Sequence, residues 1–168
     1  MECYRLFCKT PRCASIASLL SNRPGYSAIS PKLVQRKWVK GSCVEEIRDL
    51  LPGYVFVYTE EPLEAYDALR ALDGVLRLLG RSEDGYRLDG EDERFARMLH
   101  DNGGVIGILR AFEAGDRIRL AADALPGYEG EIIQVDRRKG RAQVLIRFDE
   151  REIRLWVGFD LIGNGSAP

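Results

Sequence analysis

The residues of this chain best equipped for chemistry are cations set beside rings and turns. Arg137, Arg138, Lys139 and Arg141 crowd around Gly140, with only Asp136 at hand to neutralise them. Earlier, Arg23, Lys32, Arg36, Lys37 and Lys40 share a stretch that contains no acid, and Trp38 lies between Lys37 and Lys40. Such cations neutralise phosphates, and an indole face stacks on a base, so the chemistry on offer is contact with a nucleic acid, RNA in particular. Each cluster also has a plainer reading, as cations solvated on a hairpin and on a turn. The formal net charge is -1, which makes the clusters local anion sites on a neutral protein rather than the mark of a polycation.

Catalytic and metal-binding patterns do not emerge. His100, the one histidine, falls at the end of an expected helix, where an imidazole complements the helix dipole, and no partner makes it an acid or a base. Glu91, Asp92 and Glu93 read as the acidic start of that helix, not as a metal site. Cys3, Cys8, Cys13 and Cys43 lack C-x-x-C spacing and are too few for a disulfide scaffold, so they are expected to be ordinary reduced thiols. The sequence carries no phosphate-binding loop, nucleophile elbow or dinucleotide fingerprint. The expectation is a binding protein that is not an enzyme, with no cofactor and no metal. No run approaches the roughly 20 apolar residues of a membrane span and no signal core opens the chain, which points to a cytoplasmic protein.

The elements that must position these residues can be read from periodicity. The start alternates as a strand, with Tyr4, Leu6 and Cys8 on one side; Cys13, Ile16, Ala17 and Leu20 then recur at helical steps until Asn22 to Gly25. Tyr26 to Val44 reads as extended segments around a Lys40-Gly41 turn. Leu50 to Pro62, LLPGYVFVYTEEP, then places a Pro-Gly pair before a run that offers bulk to both faces, so each face needs a cover. A helix from Pro62 with Leu63, Tyr66, Leu69 and Leu72, a strand over Val75 to Leu79, and a helix capped by Asp89 that presents Phe95, Met98 and Leu99 complete an α+β pattern of sheet and helices. After Asn102-Gly103-Gly104 the helical signals stop, and short strands at Arg117–Leu120, Glu131–Val135, Ala142–Phe148 and Glu152–Val157 predict a small all-β barrel. The expected organisation is an α/β domain over 1–102, a short apolar linker over 103–111, a barrel over 112–163 and a disordered tail over 164–168.

Three fragments in this order resemble the NusG-like transcription elongation factors. Leu51-Pro52-Gly53-Tyr54-Val55-Phe56-Val57 is similar to the F-P-G-Y-V-x-V signature of their N-terminal domain, and Gly74 to Gly80 to the helix-to-strand passage that follows it. Phe112 to Asp116 and Gly127-x-x-Gly130-x-Ile132-x-x-Val135-Asp136 resemble the C-terminal KOW motif. The resemblance implies an NGN-type α/β sandwich, an antiparallel sheet with helices, followed by an SH3-like all-β KOW barrel. Within the family, Asp136 to Arg141 and the ending Val157 to Ile162 look most like the LoaP branch, processive antiterminators that recognise an RNA hairpin in a leader transcript. The resemblance further implies a monomer whose N-terminal domain grips the β′ clamp helices of RNA polymerase through Tyr4, Leu51, Pro52 and Tyr54. By the same analogy the KOW domain recruits a small-subunit ribosomal protein or Rho in housekeeping members. The RNA contacts would fall on Arg36, Lys37, Trp38, Lys40, Arg137, Arg138, Lys139 and Arg141. A housekeeping NusG-type factor and an RNA-binding module of ribosome assembly are the alternatives.

Overall fold

The computed structural model describes residues 1–60, 69–80, 85–115, 117–121 and 131–162. The chain forms two compact units that do not follow chain order. Met1–Lys32 with Asp49–Gly104 make the first, and Leu33–Arg48 joins the residues from Val105 onward in the second.

The first unit is built on strands β1 (Glu2–Cys8), β2 (Tyr26–Ile29), β5 (Tyr54–Thr59) and β6 (Val75–Leu79), in the order β2-β5-β1-β6. All three pairings are antiparallel. Helix α1 (Cys13–Ser21) covers one face, where its Cys13, Ile16, Ala17 and Leu20 form a core with Tyr4, Leu6 and Cys8 of β1 and Val55 and Val57 of β5. Helix α2 (Gly90–Asp101) covers the other. Phe95 meets Phe56 edge to face at 6.1 Å, and the buried Tyr58 hydroxyl donates to the Ala96 carbonyl at 2.7 Å. The run from Tyr54 to Tyr58 is therefore bulky on both sides because each side has a helix. The Pro-Gly pair before it is a type II turn: Tyr54 N–H donates to Leu51 O at 3.1 Å and Gly53 takes φ +88°. A Cβ on Gly53 would also lie 3.0 Å from the Phe7 ring, so this turn needs glycine twice over.

The second unit contains a three-stranded sheet, β4-β3-β7, of β3 (Lys32–Val39), β4 (Ser42–Asp49) and β7 (Val105–Ile106). Its five-stranded sheet runs β10-β11-β12-β8-β9, from β8 (Leu109–Ala114), β9 (Arg117–Leu120), β10 (Glu131–Asp136), β11 (Arg141–Phe148) and β12 (Arg151–Leu161). In β11 every second residue is buried, with Ala142, Val144, Ile146 and Phe148 inward, as a strand with one covered face requires. The long β12 serves two neighbours: Arg151 to Gly158 pair antiparallel with β11, and Phe159 to Leu161 pair parallel with β8.

Most of the expected elements are present at their expected places, with two differences in detail. Asp89 occupies the N-cap of α2 in extended conformation, but its side chain makes no capping hydrogen bond. The apolar segment 103–111 is not plain connection: it supplies β7 and the opening of β8, which lets Ile106 and Leu109 be buried with their backbone groups in sheets. Of the helix expected from Pro62, only Leu69 onward is described, and Gly127, Gly130 and the expected disordered tail lie outside the described residues. No described helix is long and apolar enough to cross a membrane.

Candidate nucleic-acid interface

The β3–β4 ribbon turns in two residues, Lys40 at φ 50° and Gly41 at φ 84°, the double positive φ of a type I′ hairpin. Such a turn sets Val39 opposite Ser42, Trp38 opposite Cys43 and Arg36 opposite Glu45. Arg36, Trp38, Cys43 and Glu45 accordingly share one face and Lys37 the other, with Lys40 at the tip. Those four side chains line an open groove of about 490 Å³ within the second unit. Its remaining wall is the 3-10 turn Arg137–Lys139 with Gly140.

Local chemistry holds this wall in shape. The Asp136 carboxylate accepts from Lys139 N–H at 3.2 Å, and Gly140 closes the turn at φ 58°. A Cβ there would sit 3.2 Å from Arg36 Nη1. Arg36 donates to Phe159 O at 2.9 Å and to Asp160 Oδ1 at 2.7 Å, while Gln35 donates to Trp156 O at 3.2 Å, so the ribbon is pinned to β12. Arg141 is also committed, with Nε 3.3 Å from Asp136 Oδ2 and its guanidinium 4.5 Å from the Trp156 ring centre. Arg137 pairs with Glu113.

What remains for a ligand is specific. Arg138 and Lys139 are exposed, and their side chains form no ion pair among the described residues. Trp38 is 51% exposed. Of the eight residues expected to contact RNA, the groove gathers Arg36, Trp38, Arg137, Arg138 and Lys139, and leaves aside Lys37, Lys40 and Arg141. It adds Cys43 and Glu45, which the sequence reading missed although the two-residue turn and strand alternation were enough to find them.

The expected polymerase patch is rearranged by register. Tyr4 pairs with Val57, while Tyr54 pairs with Phe7, three positions further along β1 and hence on the opposite face. Tyr4 is buried against α1, and its hydroxyl donates to Glu2. Leu51, Pro52 and Tyr54 do gather at one corner, where Tyr54 packs edge to face on Phe7 at 5.6 Å and Arg77 lies 5.4 Å from the Phe7 ring centre. Arg5, buried beneath, reaches Asp92 of α2 at 3.2 Å and lies 6.0 Å from the Tyr54 ring centre. Phe7 and Arg77 are the members of this corner that sequence reasoning overlooked. Among the described residues no cluster of three His, Cys, Asp or Glu could hold a metal. Burial pushes the Cys8 thiol up to about 12, with the Cys13 thiol beside it adding to the shift, so it is no nucleophile.

The family match over the α/β part, with an all-β, barrel-like domain after it, defines a two-domain transcription factor. The chain belongs to the NusG family: the family model described as transcription termination factor nusG matches residues 1–98. The solved structure described as "Domain interaction in Thermotoga maritima NusG" is similar over 94% of this chain and 93% of that one, with a TM-score of 0.52 at 15% sequence identity. At that identity the likeness speaks for the fold. No curated protein matches the chain.

Proposed function

We propose that this protein is a processive antiterminator of the LoaP type, an elongation factor recruited to RNA polymerase by a hairpin in its target's leader transcript. The observation that carries this reading is the gathering of the bare Trp38 face with Arg137, Arg138 and Lys139 around one open groove. A ring for a base and cations for phosphates at that scale suit a looped RNA. Residues 1–102 act as an NGN domain and 112–163 as an SH3-like KOW barrel, with the Leu33–Arg48 ribbon of the former counted in the compact unit of the latter. The corner of Phe7, Leu51, Pro52 and Tyr54 docks on the β′ clamp helices, an apolar contact that favours the closed, elongating state of the enzyme by population shift.

The test is binding of the purified full chain to the leader RNA of its own operon beside a scrambled hairpin of equal length, across a salt series. Preference for the leader, falling with salt by about 0.7 to 0.9 per phosphate contact on a log–log plot, is the expected result. Equal binding of both RNAs would leave the second reading, a general NusG factor coupling polymerase to Rho or the ribosome, which the family description favours. Recovery of β′ in a nuclease-treated pull-down is expected on either reading; recovery of ribosomal particles alone would overturn both.

A further inference from the structure

We infer that the groove of the second unit reads one unpaired guanosine of the RNA strand, with Glu45 as the residue that selects the base. The inference rests on the proposal that this groove faces RNA, and it turns on a carboxylate that phosphate binding leaves unexplained. Among cations that attract an RNA backbone, an acid is a liability unless it has its own partner. Glu45 lies in the groove wall, and no hydrogen bond or ion pair to it is found among the described residues. Its neighbour across the ribbon, Arg36, is instead engaged by Asp160 and the Phe159 carbonyl.

The register places Glu45 where a base edge would be. Trp38 stands opposite Cys43 and Arg36 opposite Glu45, so Trp38 and Glu45 are diagonal neighbours on one face, about 7–8 Å apart at the backbone. A base stacked on the exposed indole extends its Watson–Crick edge over that distance. A carboxylate has only acceptors to offer, and two of them side by side. Guanine alone among the four bases presents two adjacent donors there, N1–H and the N2 amino group. Adenine and cytosine each set one amino group beside a ring-nitrogen acceptor, and uracil flanks its single N–H with two carbonyls. Those acceptors would face the Glu45 oxygens and repel them. The free cations of Arg138 and Lys139 stand on the facing wall, placed for the phosphates that flank the stacked nucleotide. A groove of about 490 Å³ that is open to solvent suits one nucleotide of a passing strand.

The experiment measures binding of the full chain to uridine heptamers whose central residue is guanosine, inosine or adenosine, with GMP as a competitor. The expected order is guanosine, then inosine, then adenosine, with at least about tenfold between the first and the last, the discrimination of a good bidentate base contact. Inosine lacks only the N2 amino group, so its intermediate place isolates the second hydrogen bond. Glu45→Ala, on an exposed strand position, is expected to bring the guanosine-to-adenosine ratio close to one. Equal binding of the three heptamers would overturn the guanosine inference and leave RNA contact intact. Failure of every heptamer and of the leader RNA to bind would overturn the RNA reading itself. Competition by GMP at the same concentration as the guanosine heptamer would assign the groove to a free guanine nucleotide and overturn the role of the strand.

Discussion

Both units bring arginine to aromatic rings, with opposite results. In the first unit Arg77 lies over Phe7, and Arg5 lies near Tyr54 with its charge met by Asp92. In the second unit Arg141 is used in that way, on Trp156, while Trp38 stays 51% exposed and Arg138 and Lys139 are exposed. On the proposed reading, similar residue types make a surface for a protein helix in one place and a surface for phosphates and a base in the other. The deciding variable is whether the guanidinium has been spent inside the fold.

The strongest way to sharpen this contrast is to separate Tyr4 from Tyr54. Tyr4→Ala is expected to cost about 3–5 kcal/mol of stability, as for a large core aromatic, whereas Tyr54→Ala, half-exposed, costs about 1 kcal/mol. Denaturant midpoints of the two variants measure it, and equal losses would return Tyr4 to the docking corner. Next in size, Arg138→Glu with Lys139→Glu is expected to lower RNA affinity at least about tenfold and flatten the salt slope by roughly 1.5, two phosphate contacts' worth. The same variant should bind polymerase as before. Trp38→Ala should cost about 1–3 kcal/mol of RNA affinity with the salt slope unchanged, because stacking releases no counterions.

Smaller effects probe the thiols and the acid limb. Cys43 is exposed while Cys3, Cys8 and Cys13 are buried with raised thiol pKa values, so one fast alkylation is expected in the native protein, and bound RNA should slow it. Mass mapping of the labelled peptide reads both outcomes. The least effect concerns Glu2, whose carboxyl is held below its ordinary 4.5 chiefly by the Tyr4 hydroxyl, with Arg87 contributing. A lowered carboxyl stabilises the fold above its unfolded pKa, and that contribution fades as pH falls through the lower folded value. Tyr4→Phe should therefore weaken the dependence of stability on pH below 4.5.

Local signals carried most of the fold. Helical steps of Cys13, Ile16 and Leu20 marked α1, Asn102-Gly103-Gly104 marked the end of α2, and the Lys40-Gly41 pair marked the ribbon turn. Register was not local, and it decided the sites. Whether Tyr4 and Tyr54 share a face depends on β1 meeting β5 as Phe7 opposite Tyr54, which neither strand states by itself. The acid of the groove was hidden for a different reason: Glu45 follows Cys43 in a stretch with no feature of its own until the ribbon is folded back on Trp38. The 103–111 segment looked like a connection because its strands are short, β7 having only 2 residues before β8 begins.

The double pairing of β12 also sets a schedule for synthesis. This strand lies between β11 and β8, yet it is made after every other described strand. When Glu150 is added, the strands of the β8–β9 and β10–β11 pairs have been made, but the strand that joins the two pairs has not. The ribbon waits too, since Arg36 and Gln35 find their acceptors on residues 156–160. The sheet of the first unit needs nothing beyond residue 104 and is free to form earlier on the ribosome. Until the final strand emerges, the basic turn and its tryptophan belong to separate, unjoined pieces, and the groove between them is not yet assembled.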